Sequence, residues 1–320
     1  MHTGTGLRIH RELDAAGIRR PDLRSAYRMC RELNAAHGRT YFLATRLLTP
    51  AQRPAVHALY GFARWVDDIV DDWSTADKQE ALERLDQRLR TALATGHSDH
   101  PILAALVDTV TRHGLDHRLF GDFMTSMRMD LSVRDYPTRA SLDRYVHGSA
   151  AVIGLQVLPV LGTVGPATEA APYAAALGCA FQLTNFLRDV GEDLDRDRVY
   201  LPADELAVFG VDRDRLAWCR RTGRADHRVR SALADQVSRT RAVYREAEPG
   251  IALLSPVSRP CVATARTLYG EILDRIVESG YDVFRRRVAV PGARRVGVAA
   301  AALGSALAAR VRHGARHSGV

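Results

Sequence analysis

The sequence predicts an all-α chain built around one large core. Three observations carry this. Apolar residues recur three and four apart, as in Leu82, Leu85, Leu89 and Leu93, in Ile102, Leu103, Leu106 and Val110, and in Leu268, Ile272, Leu273 and Ile276. Strand signals are scarce, with no alternating run of Val, Ile and Thr between turn pairs and no strand–glycine loop–helix unit. Breaks holding Pro, Gly or short polar residues fall at 97–101, 135–138, 165–167, 200–202, 248–256 and 290–292, and the intervals between them suit helices of several turns.

The elements follow in order from local chemistry. Residues 1–20 lack the apolar stretch of a secretory signal. A helix is expected from residue 51 to about 72, with Val56, Leu59, Phe62, Val66 and Val70 as its apolar positions. The three patterned groups above supply further helices. Residues 150–164 are the most apolar stretch, but they contain Gln156, Pro159 and Gly162. They also fall short of the ~20 residues a membrane span needs, so a buried core helix is expected. Residues 182–193 read as a helix with Leu187 and Val190 facing packing partners. The tail, 292–320, mixes Ala and Val with Arg294, Arg295, Arg310, Arg312 and Arg316. Two arrangements fit it: a last packing helix with a frayed arginine-rich end, the simpler one, or an amphipathic helix on an anionic membrane.

The chain has 320 residues, which at roughly 150 per domain suggests two domains. No linker is low in complexity and no break is long enough to separate distinct cores, so one domain is expected instead. That size is near the limit for a single core, and a central cavity would explain a large middle. Hydrophobic residues make up 46% and charged residues 26%, which excludes a disordered chain, a collagen and a coiled-coil rod. The net charge of +8 raises nucleic acid, anionic membrane or an anionic small substrate as partners. The arginines are spread along the chain among acids, which argues against nucleic acid. Cys30, Cys179, Cys219 and Cys261 are far apart, with no paired spacing for a disulfide scaffold or a zinc site.

Two acidic motifs carry the chemistry. Residues 60–72 read YGFARWVDDIVDD, so that Asp67 and Asp71, and likewise Asp68 and Asp72, lie four apart on one helix face. Carboxylates gathered in this way repel. A solvated acidic helix end would tolerate them, and a hard divalent cation such as Mg²⁺ would offset the repulsion. Tyr60 and Arg64 continue the face of Asp67. Residues 182–193 read QLTNFLRDVGED, placing Asn185, Asp189 and Asp193 on one face, with Gln182 and Arg188 flanking. The following LDRDRVYLP supplies Arg196, Arg198 and Tyr200. Guanidinium groups suit diphosphate, which accepts paired hydrogen bonds. Two such helices facing each other across a cavity would hold Mg²⁺ ions and clamp diphosphates. The chemistry implied is departure of diphosphate from an allylic ester, leaving a carbocation in an apolar chamber.

At these residues the chain resembles the squalene/phytoene synthase family, from about residue 26 to 290. The matching pieces are HGRTYF at 37–42, Leu47-Leu48, the Tyr60…Arg64…Asp67…Asp71 motif, YVHGSAAVIG at 145–154, the second acidic motif and RVYLP at 198–202. Residues 37–48, 145–162 and 281–288 are most similar to the bacterial phytoene-forming branch. The resemblance implies a single-domain isoprenoid (terpene) synthase helical bundle with a central cavity over 26–290. It leaves an N-terminal segment, 1–25, and a tail, 291–320. It also implies head-to-head condensation of two geranylgeranyl diphosphates through prephytoene diphosphate to phytoene, with release of two diphosphates.

The resemblance assigns roles residue by residue. Asp67, Asp71, Asp189 and Asp193 are implied Mg²⁺ ligands and catalytic residues, with Asn185 adding an oxygen and Mn²⁺ as a substitute metal. Arg39, Arg64, Arg188 and Arg198 are implied diphosphate contacts. His37, Tyr60, Gln182 and Tyr269 are implied contacts to substrate, and Tyr145 steers the cation or the proton loss. Asp130, in MRMDL, is expected to be a surface acid, with a place facing the cavity as the alternative, and His57 and His113 are expected to be structural or exposed. Thr45 is small. If its face lines the cavity floor, it leaves room for a C20 chain over a C15 chain.

No glycine-rich dinucleotide loop is present, so no NADPH is expected. One alternative is a C15-using squalene, dehydrosqualene or hydroxysqualene synthase. Another is a non-catalytic scaffold or assembly protein, although both aspartate pairs are intact. A cytoplasmic location is expected, with peripheral contact at the inner face of the cell membrane through the tail, and with downstream carotenoid enzymes as further partners.

Overall fold

The structure, a computed structural model, describes residues 3–71 and 77–317, without the side chains of 3–7, 39 and 313–317. The first half holds α1 (Thr3–Ala15), α2 (Pro21–His37), α3 (Arg39–Thr45), α4 (Arg53–Asp71), α5 (Lys78–Thr95), α6 (Pro101–His113), α7 (Arg118–Ser132) and α8 (Arg139–Val146). A π-helical turn, His147–Ala151, leads into α9 (Val152–Leu161) and then α10 (Ala167–Asp195). The remainder holds α11 (Ala203–Ala207), α12 (Arg213–Thr222), α13 (His227–Ala247), α14 (Gly250–Leu253), α15 (Arg259–Glu278) and α16 (Gly292–His317). No strand occurs among the described residues, only isolated bridges at Asp135–Val199 and Thr163–Leu254.

Several helices begin where a short polar side chain takes up an orphan backbone N–H. Asp77 accepts from the Glu80 N–H at 2.8 Å, Asp212 from that of Arg215 at 2.8 Å and Asp226 from that of Val229 at 3.0 Å. Thr138 and Ser141 form a reciprocal capping box that starts α8.

The apolar stripes of the sequence become two main cores. The first joins α2, α4, α5, α6 and α7 and contains Leu59, Phe62, Val66 and Val70 from α4. Phe62 lies edge-on to Phe120, with ring centroids 6.0 Å apart. The second joins α10, α12, α13 and α15 through Leu187, Leu216, Leu233, Leu268 and Leu273, with Phe284 from the segment after α15. A smaller cluster of α3, α9, α15 and α16 residues includes Ala44, Leu158, Leu161, Cys261 and Ala306, with Leu48 from the loop after α3. Helix α10 packs against α9, α13 and α15. Its crossing with the π-helical turn and α9 is very close. A Cβ on Gly154 would sit 2.1 Å from the Ala174 carbonyl oxygen, and one on Gly178 would sit 2.3 Å from that of Ala150. Glycine at both positions lets the backbones meet.

Several expectations change in detail. The apolar stretch 150–164 is not one helix: it comprises the end of the π-helical turn and α9, which stops at Leu161. The break at 248–256 contains the single turn α14. Asp130 is not a surface acid, since it is buried within the fold. His57 is buried and structural, its Nδ1 3.0 Å from the Asn34 amide nitrogen. All four cysteines are free. The tail forms α16 and packs inward through Ala299, Ala306 and Ala309. No described helix is long and apolar enough to cross a membrane.

Candidate active site

A cavity of about 330 Å³ lies among α3, α4, α9, α10 and α15. Most of its wall is apolar, from residues such as Leu59, Ile153, Val157, Leu177, Phe181 and Ala265. Tyr60, Asp67, Gln182 and Asn185 are polar members of the same wall. On α4 the lining stripe runs Val56, Tyr60, Ala63 and Asp67, and one turn further reaches Asp71. On α10 it runs Ala174, Gly178, Gln182 and Asn185, and further turns reach Asp189 and Asp193. Both stripes therefore change from apolar to acidic toward the C-terminal ends of their helices. The helix dipole disfavours anions there, so these acids depend on cationic partners.

Arginines supply some of that compensation. Arg196 and Arg198 donate to opposite oxygens of Asp71, at 2.9 and 3.2 Å, which ties the end of α4 to the loop after α10. Asp189 is held by two forks. Arg188 donates at 2.7 and 2.6 Å, and Arg287 at 2.8 and 2.9 Å. Burial opposes ionisation of Asp189, but these two guanidinium groups outweigh it and hold its carboxyl below the usual carboxylate range. Arg64 pairs with Asp68 at 2.5 Å, not with Asp67. Asp72, the fourth acid of the first motif, lies outside the described residues.

Asp67 and Asp193 make no ion pair among the described residues. Asp67 keeps accessible surface, but that surface belongs to the cavity wall and is enclosed by protein. Enclosure, then repulsion from Asp71 and Asp130, pushes its carboxyl up to about 8. Burial, then Asp189, pushes Asp193 up to about 8 as well.

Among the described residues no three His, Cys, Asp or Glu side chains converge on a metal-binding point. The donor set nevertheless fits a hard cation. It offers the Asp67 and Asp193 carboxylates, which make no ion pair among the described residues, and the Asn185 Oδ1, a buried oxygen that has no hydrogen-bond partner. Buried Nε atoms of Arg64 and Arg198 also lack acceptors, a second unfilled demand that an anion would meet.

Behind the acids lies a buried polar network. Asp130 accepts from the Tyr145 hydroxyl at 2.6 Å and from the Tyr200 hydroxyl at 2.8 Å, and its carbonyl accepts from Arg198 at 2.9 Å. Burial raises the Asp130 carboxyl despite these donors. The Tyr200 ring stacks on Phe186 with centroids 4.3 Å apart, and the Tyr145 ring lies 5.4 Å from that of Tyr200. Tyr145 is thus buried with its hydroxyl committed to Asp130.

The other sequence-derived candidates fall in different places. Tyr60 lines the cavity, and burial pushes its phenol up to about 12. Tyr269 is buried behind the wall, its ring 5.1 Å from that of Tyr41 and 4.5 Å from that of Phe181, both of which line the cavity. Thr45 lines the cavity, with its hydroxyl donated to the Tyr41 carbonyl at 2.8 Å. His37 ends α2 and is exposed. The Arg39 side chain lies outside the described residues. Sequence reasoning put Arg196 among the arginines suited to diphosphate but assigned no role to Arg287. Arg287 sits 98 residues from Asp189, and only the run of three arginines at 285–287 pointed to it.

The sequence matches the squalene/phytoene synthase family over residues 34–294. It is 40% identical over 288 residues to a phytoene synthase of Arthrospira platensis, covering 86% of this chain and 91% of that protein. It is 39% identical over 285 residues to a 15-cis-phytoene synthase of Synechococcus elongatus, with coverage of 86% and 91%. Among solved structures, a dehydrosqualene synthase in complex with ligand is similar at a TM-score of 0.81 and 26% identity, covering 88% of this chain and 96% of that one. A squalene synthase from Alicyclobacillus acidocaldarius is similar at a TM-score of 0.74 and 28% identity, covering 83% and 98%.

Proposed function

Because this chain belongs to the squalene/phytoene synthase family, we propose that it is a prenyl transferase that joins two geranylgeranyl diphosphates head to head into phytoene, in carotenoid biosynthesis. Sequence likeness to phytoene synthases over most of both chains supports the C20 substrate. The single structural observation that carries the reading is the apolar cavity whose two long wall helices end in acids and arginines.

The reaction divides between the two kinds of wall. Arg64, Arg188, Arg196, Arg198 and Arg287 bind diphosphate oxygens, exchanging carboxylate partners for the substrate. Diphosphate leaves one substrate, and the double bond of the second attacks the allylic cation. Proton loss closes the cyclopropane of prephytoene diphosphate. The second diphosphate then leaves, the skeleton rearranges and a last proton is lost. The balance is one C40 hydrocarbon, two diphosphates and two protons. The apolar wall excludes water from the cations, and the rings of Tyr41, Tyr60 and Phe181 offer them π faces. Tyr145 acts on the cation or proton loss through the Asp130 network that holds it.

Mg²⁺, with Mn²⁺ as a substitute, is the cofactor we assign. Asp67, Asp71, Asp189, Asp193 and Asn185 would hold it, where it would supply positive charge for the departing diphosphate. The reaction contains no reduction, so NADPH has no role. We place the protein in the cytoplasm, with α16 free for peripheral contact at the inner membrane face and with downstream carotenoid enzymes as receivers of the product.

The test is purified protein with Mg²⁺ and either geranylgeranyl or farnesyl diphosphate, with and without NADPH. A C40 hydrocarbon independent of NADPH is expected. Only C15-derived products would replace the phytoene reading with the squalene or dehydrosqualene one, and no product from either substrate would favour a scaffold.

A further inference from the structure

The crossing of the π-helical turn with α7 and α10 leaves one hydroxyl unused. Buried hydroxyls elsewhere in the helices bond back to the carbonyl four residues earlier. Thr109 donates to Ala105 at 2.8 Å, Thr184 to Ala180 at 2.7 Å and Thr240 to Gln236 at 2.8 Å. Ser149 does not follow them. The carbonyl four residues before it, that of Tyr145, accepts instead from the Ser126 hydroxyl of α7 at 2.9 Å. The Ser149 Oγ is buried without a hydrogen-bond partner. Among the described residues the Tyr136 hydroxyl is the only other in that condition, and Tyr136 does not line the cavity, whereas Ser149 does.

The π-helical turn sets this placement. Its closing bond runs from the Val152 N–H five residues back to the His147 carbonyl. Such a turn holds one residue more than an α-helical one, which displaces the side chains beyond by about 100° around the axis. In a continuous α-helix Ser149 would share the face of Tyr145. Here Gly148 lies against α7, where a Cβ would collide with the Ser126 Oγ and the Asp122 carbonyl, and Ser149 comes round to the cavity. The segment runs antiparallel to α10. Gly154 meets Ala174, Ala150 meets Gly178, and the Tyr145 ring lies 6.1 Å from that of Phe186. Ser149 therefore stands level with the turn of α10 between Gly178 and Gln182. At that height the α10 lining passes from small residues to the amides of Gln182 and Asn185.

We propose that the Ser149 hydroxyl donates a hydrogen bond to the ester oxygen of the bound prenyl diphosphate, at the C–O bond that breaks. The inference rests on the prenyl transferase reading above. The apolar wall takes the hydrocarbon and the arginines take the phosphates, so the ester oxygen falls at the boundary between them, where Ser149 stands. A prenyl diphosphate has polar atoms only at its diphosphate, so that is the part of the ligand able to satisfy the hydroxyl. The Oγ is covered while the rest of the residue meets the cavity, and a change of rotamer about the Cα–Cβ bond brings it to the ligand. When the C–O bond breaks, its electron pair leaves with the diphosphate and negative charge grows on the ester oxygen. The hydrogen bond strengthens with that charge, and the proton stays on the serine. Its effect therefore falls on kcat more than on KM.

The test compares Ser149→Thr with Ser149→Val, which match in shape and differ by the hydroxyl. Diphosphate release is measured with full-length protein and Mg²⁺ on geranylgeranyl and on farnesyl diphosphate, and the hydrocarbon product is identified separately. The Val variant is expected to have a kcat at least about ten-fold below that of the Thr variant, with KM within about three-fold. Ser149→Ala is expected to lose kcat as the Val variant does and to melt no lower than the parent, because the hydroxyl it removes has no partner. Full kcat in Ser149→Ala, equal kcat in the Thr and Val variants, a difference confined to KM, or a lower melting temperature in Ser149→Ala would each overturn the proposal. No diphosphate release by the parent from either substrate would overturn it together with the prenyl transferase reading. A C30 product would remove the C20 reading alone and leave the Thr-to-Val ratio to decide, because both substrates carry the same ester bond.

Discussion

The Tyr145 hydroxyl donates to Asp130 at 2.6 Å, and Asp130 also takes the Tyr200 hydroxyl at 2.8 Å. A residue of α8 and one from the loop after α10 are thereby fixed to one buried acid. Arg198 donates to the carbonyl of that acid and to Asp71, so the network reaches the acidic end of the cavity.

Tyr145→Phe and Tyr200→Phe each leave the buried acid short of a donor, so each should cost about 1–3 kcal/mol of stability, read from urea unfolding. The stability losses are expected to match, whereas kcat is expected to fall further in Tyr145→Phe. Equal kcat values in the two variants would confine Tyr145 to positioning.

Asp67→Ala and Asp189→Ala are both expected to lower phytoene formation by more than about 100-fold. Their stabilities should diverge. Asp67 has no ion pair among the described residues, while removal of Asp189 strands Arg188 beside Arg287. Steady-state assays over a Mg²⁺ titration, with melting curves alongside, check both expectations. Full activity in either variant would remove the metal assignment.

Thr45→Phe adds a ring to a cavity wall now formed there by a small residue. The ratio of kcat/KM for geranylgeranyl over farnesyl diphosphate is expected to fall by about ten-fold or more. An unchanged ratio would show that Thr45 does not limit chain length.

His57 sets an acid limit on stability. Burial, then the charges of Arg31 and Arg53, lower its pKa to about 3, against an ordinary value of 6.5. Below pH 6.5 the unfolded chain takes up a proton that the folded chain refuses. Stability therefore falls on acidification through that window, by about 1.4 kcal/mol per pH unit and about 2 kcal/mol by pH 5. Urea unfolding at pH 7 and pH 5 measures this slope. His57→Gln should flatten it, and an unchanged slope in that variant would assign the acid sensitivity elsewhere.

Gly154→Ala would place a methyl group against the Ala174 carbonyl, 2.1 Å from its oxygen. Overpacking of this kind costs about 1–3 kcal/mol or more, because backbone must move. The melting temperature should drop, and the cavity wall that Gly154 helps to form should shift, raising KM. A variant as stable as the parent would show that α9 and α10 can separate without loss.

Helices, breaks and the two acidic faces were legible because each depends on residues within a few turns of one another. Leu82 with Leu85 and Leu89, or Asp189 with Asp193, needs only the helical repeat to share a face, and the buried positions agree with that repeat. The π-helical turn at 147–151 was not legible. It answers to close packing against α7 and α10, where Gly148 and Gly178 meet neighbouring backbone, and neither contact leaves a local signal.

The sequence by itself determined the all-α class, the family and the residues that gather charge, since periodicity and motif wording are properties of the chain order. Only the tertiary structure decided which charges meet. It paired Asp71 with Arg196 and Arg198, brought Arg287 to Asp189 and left Asp67 and Asp193 without an ion pair among the described residues. It turned Asp130 from an expected surface acid into the buried acceptor of two tyrosines. The reason is electrostatic. A charge far from another in sequence acts on it only through the distance and burial that packing sets, and neither quantity is written in the order of residues.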